Sequence, residues 1–314
     1  MKNVPTRRTF GETLKEMGKQ DDSFVVLDAD ISKSTYSCLF HEEFPERAYN
    51  FGIAEQNMMG AAAGMAAAGL TVFATTYAVF ASMRALEQIR TFICYPELNV
   101  KIAASHGGLQ VSSDGASHQG IEDLAIMRAL PNMTVVHPAD TVSTEKLVYA
   151  IGKHQGPLYL RLLRNAVPAV YDQEMDFQIG KGIVVKDEQD ADCSIIACGL
   201  MVHKALEAAE ILKAEDIKVS VIDIHTLKPI DRELIVKSAG RAGAVVTAED
   251  HNIIGGLAGA VAEILGEEIP VPMERIGIRD KFGESGDPEK LFDKYQMNIR
   301  HILEAVKRVV ARKN

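Results

Sequence analysis

The chain has 314 residues, of which 47% are apolar and 25% charged, and it carries a formal net charge of −9. That length exceeds a single ordinary domain of ~100–150 residues, so two domains are expected. The negative charge, with no basic run to offset it, argues against nucleic acid as a partner and leaves only local pockets for anions. No apolar stretch reaches the roughly 20 residues of a membrane-spanning helix, and Met1–Thr9 lacks the apolar core of a signal peptide. Cys38, Cys94, Cys193 and Cys198 fit no zinc spacing and read as core thiols of a reducing, cytoplasmic compartment.

Arg7 and Arg8 stand before a first expected helix. The apolar run Phe24–Leu27 ends in Asp28 and Asp30. Glu55–Ala68 reads as a helix of unusually small residues, suited to close approach by another element or chain. Leu70–Ala74 is an expected strand, and Ala78–Ile93 an expected helix. Strands at Val100–Ala104, Met133–Val136 and Leu158–Leu162 alternate with helices at Ile121–Leu130 and Thr141–Lys153. Such alternation predicts a mainly parallel sheet with helices on both faces. Asn165–Gln189 changes character, with Pro168, Gly180 and Gly182, and reads as a linker with a leading strand. Alternation then restarts: strands at Cys193–Ala197, Val219–Ile224 and Ala244–Glu249, and helices at Val202–Lys213, Asp231–Ser238, Gly255–Leu265 and Met297–Arg312. The expected fold class is α/β, as domain 1–170, linker 171–189 and domain 190–314.

Open α/β sheets bind ligands beyond the carboxyl ends of their strands. Polar clusters fall at three such ends: Asp28–Ser34, Ser105–Gln119 and Arg161–Asn165. The middle one joins His106, Asp114 and His118 in a glycine-rich loop, a set suited to proton transfer, although solvated loop histidines would look the same. Glu55, taken alone, is a carboxylate favoured by a helix N-terminus. Arg7, Arg8, Arg161 and Arg164 could grip phosphate oxygens, but single arginines are most often surface charges. In the second domain Glu249 and His251 read as a polar cap at a strand end.

Together the segments Phe51-Gly-Ile-Ala-Glu55, Thr75-Thr-Tyr77-Ala-Val-Phe80, His106 followed by Asp114-Gly-Ala-Ser-His118-Gln, Asp223-Ile-His-Thr-Leu-Lys-Pro229-Ile-Asp231 and Glu249-Asp-His-Asn-Ile-Ile-Gly-Gly256 resemble the transketolase family in order and spacing over nearly the whole chain. The resemblance implies a pyrimidine-binding, parallel-sheet domain followed by a Rossmann-type transketolase C-terminal domain. The cofactor it implies is thiamine diphosphate held between two chains. Glu55 would be the carboxylate bonded to the aminopyrimidine, with Tyr77 and Phe80 packed against that ring and Asp30 beside the thiazolium. Met83 stands where many family members carry a third aromatic.

By the same resemblance, His118 and Asp114 would contact the sugar's carbonyl and hydroxyl groups. Arg7, Ser34, His106 and Arg164 would form the sugar-phosphate pocket. The family's Gly-Asp-Gly segment for diphosphate and metal is missing, since Gly286-Asp287-Pro288 lacks the second glycine. The resemblance therefore implies an N-terminal transketolase subunit that carries the diphosphate-binding domain and most of the Mg2+ or Ca2+ site, in a heterotetramer that self-associates through both domains. The expected activity is transfer of a two-carbon ketol unit between sugar phosphates, with pentose phosphates as the default. Alternatives are a deoxyxylulose-phosphate-synthase-like subunit, a 2-oxoacid dehydrogenase β-like subunit, or a non-catalytic transketolase-like binding protein.

Overall fold

The structure is a computed structural model describing residues 4–313. Six parallel strands run side by side in the order Thr134–Val136, Leu158–Arg161, Val100–Ser105, Thr71–Tyr77, Phe24–Asp28 and Ala48–Asn50. The central strands are buried along their whole length without alternation because helices cover both faces. On one face Thr6–Gln20 packs against Thr141–Lys153, enclosing Phe10, Leu14, Phe24, Phe73 and Leu147. On the other, Glu55–Ala67 and Asp123–Ala129 bury Met58, Ala62, Leu124 and Met127. Asp140 and Ser143 cap Thr141–Lys153 reciprocally, while the second Asp140 oxygen accepts the N–H groups of Val170 and Tyr171. One helix thus fixes where the chain leaves the first sheet.

Two expectations are corrected here. The first helix begins at Thr6, directly after Pro5, so Arg7 and Arg8 occupy its first turn instead of preceding it. Proline readily precedes or opens a helix because it has no N–H to satisfy. The stretch Ala78–Ile93 is not one α-helix: π-helical turns at Phe80–Arg84 and Ile89–Cys94 flank the short α-helical Leu86–Gln88. Each π turn inserts extra chain and rotates the faces that follow, which a 3.6-residue period does not anticipate.

The second sheet has the order Met273–Ile278, Val245–Asn252, Cys193–Ala197, Val219–Asp223 and Ile183–Lys186, parallel except for the last. Its edge strand comes from the segment read as linker. Met201–Lys213 and Ile299–Val310 pack together against this sheet. Arg232–Ala242 and Leu257–Glu268 also pack on each other and contribute to the core shared with the first domain. The domains are not merely tethered. Thr226–Lys228 leaves the second domain and pairs antiparallel with Thr134–Val136, making a seventh strand of the first sheet. The cores also merge: Leu124 and Met127 share one cluster with Leu227, Leu257 and Val261.

Candidate active site

Glu55 heads its helix and is only 2% exposed. Both carboxylate oxygens accept from one nitrogen of Arg84, at 3.0 and 2.9 Å. That guanidinium also lies 4.4 Å from the centre of the Phe80 ring and is itself 47% exposed. Arg84 occupies the end of the first π-helical turn, one turn from Phe80. Sequence alone does not single it out, because the motif ends at Phe80 and no local spacing ties position 84 to Glu55, 29 positions away. Met83, beside it, is exposed.

From Phe80 the aromatic surface continues inward. Tyr77 stacks on Phe80 with centroids 5.7 Å apart, and Tyr77 and His106 are 3.9 Å apart. The His118 ring meets Phe80 edge-on at 5.3 Å and Tyr77 at 6.1 Å. His106 is 2% exposed and shares a 2.8 Å hydrogen bond with the Ser105 hydroxyl through Nδ1. Burial first, then the charges of Arg7, Arg164 and His118, push its pKa down to about 3. The ring is therefore neutral around pH 7, able to hydrogen-bond but not to deliver a proton as an imidazolium.

Arg7 binds together the two loops at the far end. Its Nε donates to the Arg164 carbonyl at 2.9 Å, and another guanidinium nitrogen donates to the Ser34 carbonyl. Arg7, Ser34, Arg164, His106, Tyr77, His118 and Phe80 are thus brought into one group. Asp30 is placed elsewhere on the rim: it is exposed, with backbone φ of 66°, and exchanges two hydrogen bonds with Asn50 at 3.0 and 3.1 Å. Asp114 is exposed too. Its carboxylate accepts from the Ser113 hydroxyl, and no bond ties it to either histidine.

The His106–His118 loop is held from beneath by the second domain. Leu109 N–H donates to both carboxylate oxygens of Asp250, at 3.0 and 3.2 Å. Gly108 adopts φ of 79°, and a Cβ there would lie 2.0 Å from an Asp250 oxygen, so only glycine fits this approach. Gln119 Nε2 donates to the Glu284 carbonyl at 3.0 Å, and Ser112 Oγ to the Gly286 carbonyl at 3.0 Å.

Arg161, considered above as a phosphate ligand, is fully buried in this support. It pairs with Asp123 at 2.8 Å and donates to the Gly120 and Asp250 carbonyls at 2.8 and 3.0 Å. A lone arginine within the run Leu158-Tyr-Leu-Arg161-Leu-Leu163 was the available signal that it faces inward. Glu249 caps helix Leu257–Glu268 through the N–H groups of Leu257 and Ala258, each at 2.8 Å, and His251 Nε2 accepts from Ala125 N–H at 3.3 Å.

Among the described residues no three His, Cys, Asp or Glu side chains converge as a metal site. The donor set does suit the pyrimidine end of thiamine diphosphate: a buried carboxylate beside a partly open aromatic face. Among the described residues it gathers no carboxylate cluster for the metal that accompanies a diphosphate.

The profile of the transketolase pyrimidine-binding domain matches residues 2–170, and that of the transketolase C-terminal domain residues 180–302. A transketolase C-terminal section from Methanocaldococcus jannaschii is 47% identical, covering 96% of each chain. A 6-deoxy-6-sulfo-D-fructose transketolase subunit from Clostridium sp. is 40% identical over 98% of this chain and 95% of its own. Among solved structures, a split-gene transketolase described as an inactive beta4 tetramer superposes with a TM-score of 0.92 and 51% identity, over 99% of this chain and 100% of that one. With both domains matched and the likeness spanning nearly every residue, the chain belongs to the transketolase family, as the C-terminal section of a split-gene transketolase.

Proposed function

We propose that this chain is the subunit of a two-chain transketolase that supplies the catalytic glutamate and the sugar-phosphate pocket, and that it acts with a partner carrying the diphosphate-binding domain. The observation that carries this reading is the line from buried Glu55, by way of Arg84, to Phe80, Tyr77, His118 and His106, with Arg7 and Arg164 beyond. Thiamine diphosphate, when bound, supplies the nucleophilic carbon that accepts and releases the two-carbon unit. Glu55 would hold and share a proton at the pyrimidine nitrogen, and Phe80 and Tyr77 would orient that ring. Asp30, on the rim, would face the thiazolium end.

On the sugar side, neutral His106 would position an oxygen by hydrogen bonding. Partly exposed His118 would move a proton at the reacting oxygen, and Asp114 would hold a hydroxyl. Arg7 and Arg164, with Ser34, would take the terminal anionic group. A phosphate is the default. The Clostridium relative's name carries a sulfo-sugar, and a sulfonate would present similar tetrahedral oxygens to the same arginines.

The glutamate side supports a partner-dependent enzyme. Ile53 in the loop leading into the Glu55 helix, Met83 and Phe92 on the π-helical segments that this helix packs against, and Tyr95 just after them are large residues left exposed. On the same helix, a Cβ at Gly60 or Gly64 would meet nothing within 4 Å, so its small-residue face is uncovered. We read these as surfaces for the N-terminal subunit and for a second copy of this chain, giving a heterotetramer with the metal, Mg2+ or Ca2+, held mainly by the partner. A split-gene relative described as an inactive tetramer of one subunit type fits a chain that needs its partner. The deoxyxylulose-phosphate-synthase-like and 2-oxoacid-dehydrogenase-like readings have no comparable support, since both family profiles are transketolase profiles.

The test is to mix the purified chain with the diphosphate-binding subunit, thiamine diphosphate and Mg2+. Ketol transfer between pentose phosphates is expected from the mixture only. No transfer with phospho- or sulfo-sugars would leave the non-catalytic reading standing.

A further inference from the structure

We infer that Arg84 is a resident occupant of the pyrimidine seat, which the cofactor must displace; this rests on the functional reading above. The pyrimidine end of the cofactor is expected to use two features of this chain, the Glu55 carboxylate and the Phe80 ring face. One side chain covers both. The Arg84 guanidinium donates to the two Glu55 oxygens at 3.0 and 2.9 Å while lying 4.4 Å from the Phe80 centroid. The chemistry matches as well as the position. A guanidinium is a flat, delocalised N–C–N group that hydrogen-bonds carboxylates and stacks on aromatic rings, the two kinds of contact the aminopyrimidine would make here through a ring nitrogen and its ring face.

The arrangement is also reversible. Glu55 is buried and fixed at its helix start, but Arg84 is 47% exposed and approaches from the solvent side. Its other contacts do not anchor it: among the described residues Glu55 is the one hydrogen-bonded partner of its side chain. A half-exposed ion pair and one cation–π contact are each modest, so the seat is held closed weakly enough for a tighter ligand to open it. Arg84 satisfies a carboxylate that would otherwise be buried without a partner. Phe80 and Arg84, four positions apart on the helical turn Phe80–Arg84, are presented to the same site.

The experiment is calorimetric titration of thiamine diphosphate, with Mg2+, into the complex of this chain with its diphosphate-binding subunit. Wild type, Arg84→Met and Arg84→Lys are compared. Removing the occupant in Arg84→Met is expected to tighten binding about tenfold, the size of one exposed pair plus one cation–π contact. Arg84→Lys, which keeps a cation but loses the flat fork, should fall between the two. Circular dichroism confirms that each variant is folded. Unchanged or weaker cofactor binding by folded Arg84→Met, in a complex whose wild type binds, overturns this inference alone. Binding by Arg84→Met where wild type shows none supports it most strongly. Binding by neither defeats the functional reading and this inference with it.

Discussion

The two halves of the site are built to different standards. On the sugar side, His106 sits on a loop clamped by Asp250, Glu284 and Gly286 of the second domain and underlain by fully buried Arg161. On the cofactor side, Glu55 has one partner, half-exposed Arg84, and is surrounded by uncovered Ile53 and Met83. The first half is preorganised within this chain and the second waits for another. The second domain, which supplies no side chain to the aromatic line, nonetheless fixes the loop on which that line depends. A fold can thus divide a catalytic site by completing one wall and leaving the other as an interface.

Substitutions can break that contrast, and the largest effect should come from the unfinished half. Glu55→Ala is expected to cut ketol transfer by the assembled enzyme about 10³-fold, with little change in thermal unfolding because the arginine it leaves is half-exposed. Arg161→Met should do the reverse. It strands Asp123 without its buried cation and is expected to cost about 3–5 kcal/mol of stability, read by denaturant unfolding. Equal effects of the two substitutions on stability would erase the distinction drawn here. Arg164→Ala should raise KM for phosphorylated acceptors about tenfold, as loss of one charge-assisted contact, and leave thiamine diphosphate affinity unchanged.

A pH-dependent effect concerns Asp223, buried beneath Tyr171, whose hydroxyl donates to it at 2.7 Å. Burial pushes this carboxyl from its ordinary 3.8 up to about 8. Its favourable contribution is therefore full below the ordinary value and is lost as pH rises through the folded one. Asp223→Asn cannot ionise, so its Tm should gain on wild type as pH rises toward 8. Parallel Tm curves would contradict this.

The sequence carried much of this, but unevenly. Strands such as Cys193–Ala197 and the helix Thr141–Lys153 were legible because burial and capping follow local pattern. The grouping of Arg7, Ser34, His106 and Arg164 was reachable only through the family resemblance, although Ser34, His106 and Arg164 also fall in polar clusters after parallel strands. What stayed hidden depends on long-range geometry. Arg84 meets Glu55 across 29 positions of chain, from a different element. Asp250 reaches Leu109 across 141 positions of chain. The strand Thr226–Lys228 joins the other domain's sheet, and no local period announces such an exchange. Asp114 and Asp30 matched motif positions, yet the first is joined only to its neighbour and the second to Asn50.

Calorimetry with thiamine diphosphate and Mg2+, run on this chain alone and again after adding the diphosphate-binding subunit, tests the divided site most directly. The account predicts no measurable heat of binding from the lone chain, and saturable binding of one cofactor per pair of subunits in the mixture. Tight binding by the lone chain, or none by the mixture, would contradict it.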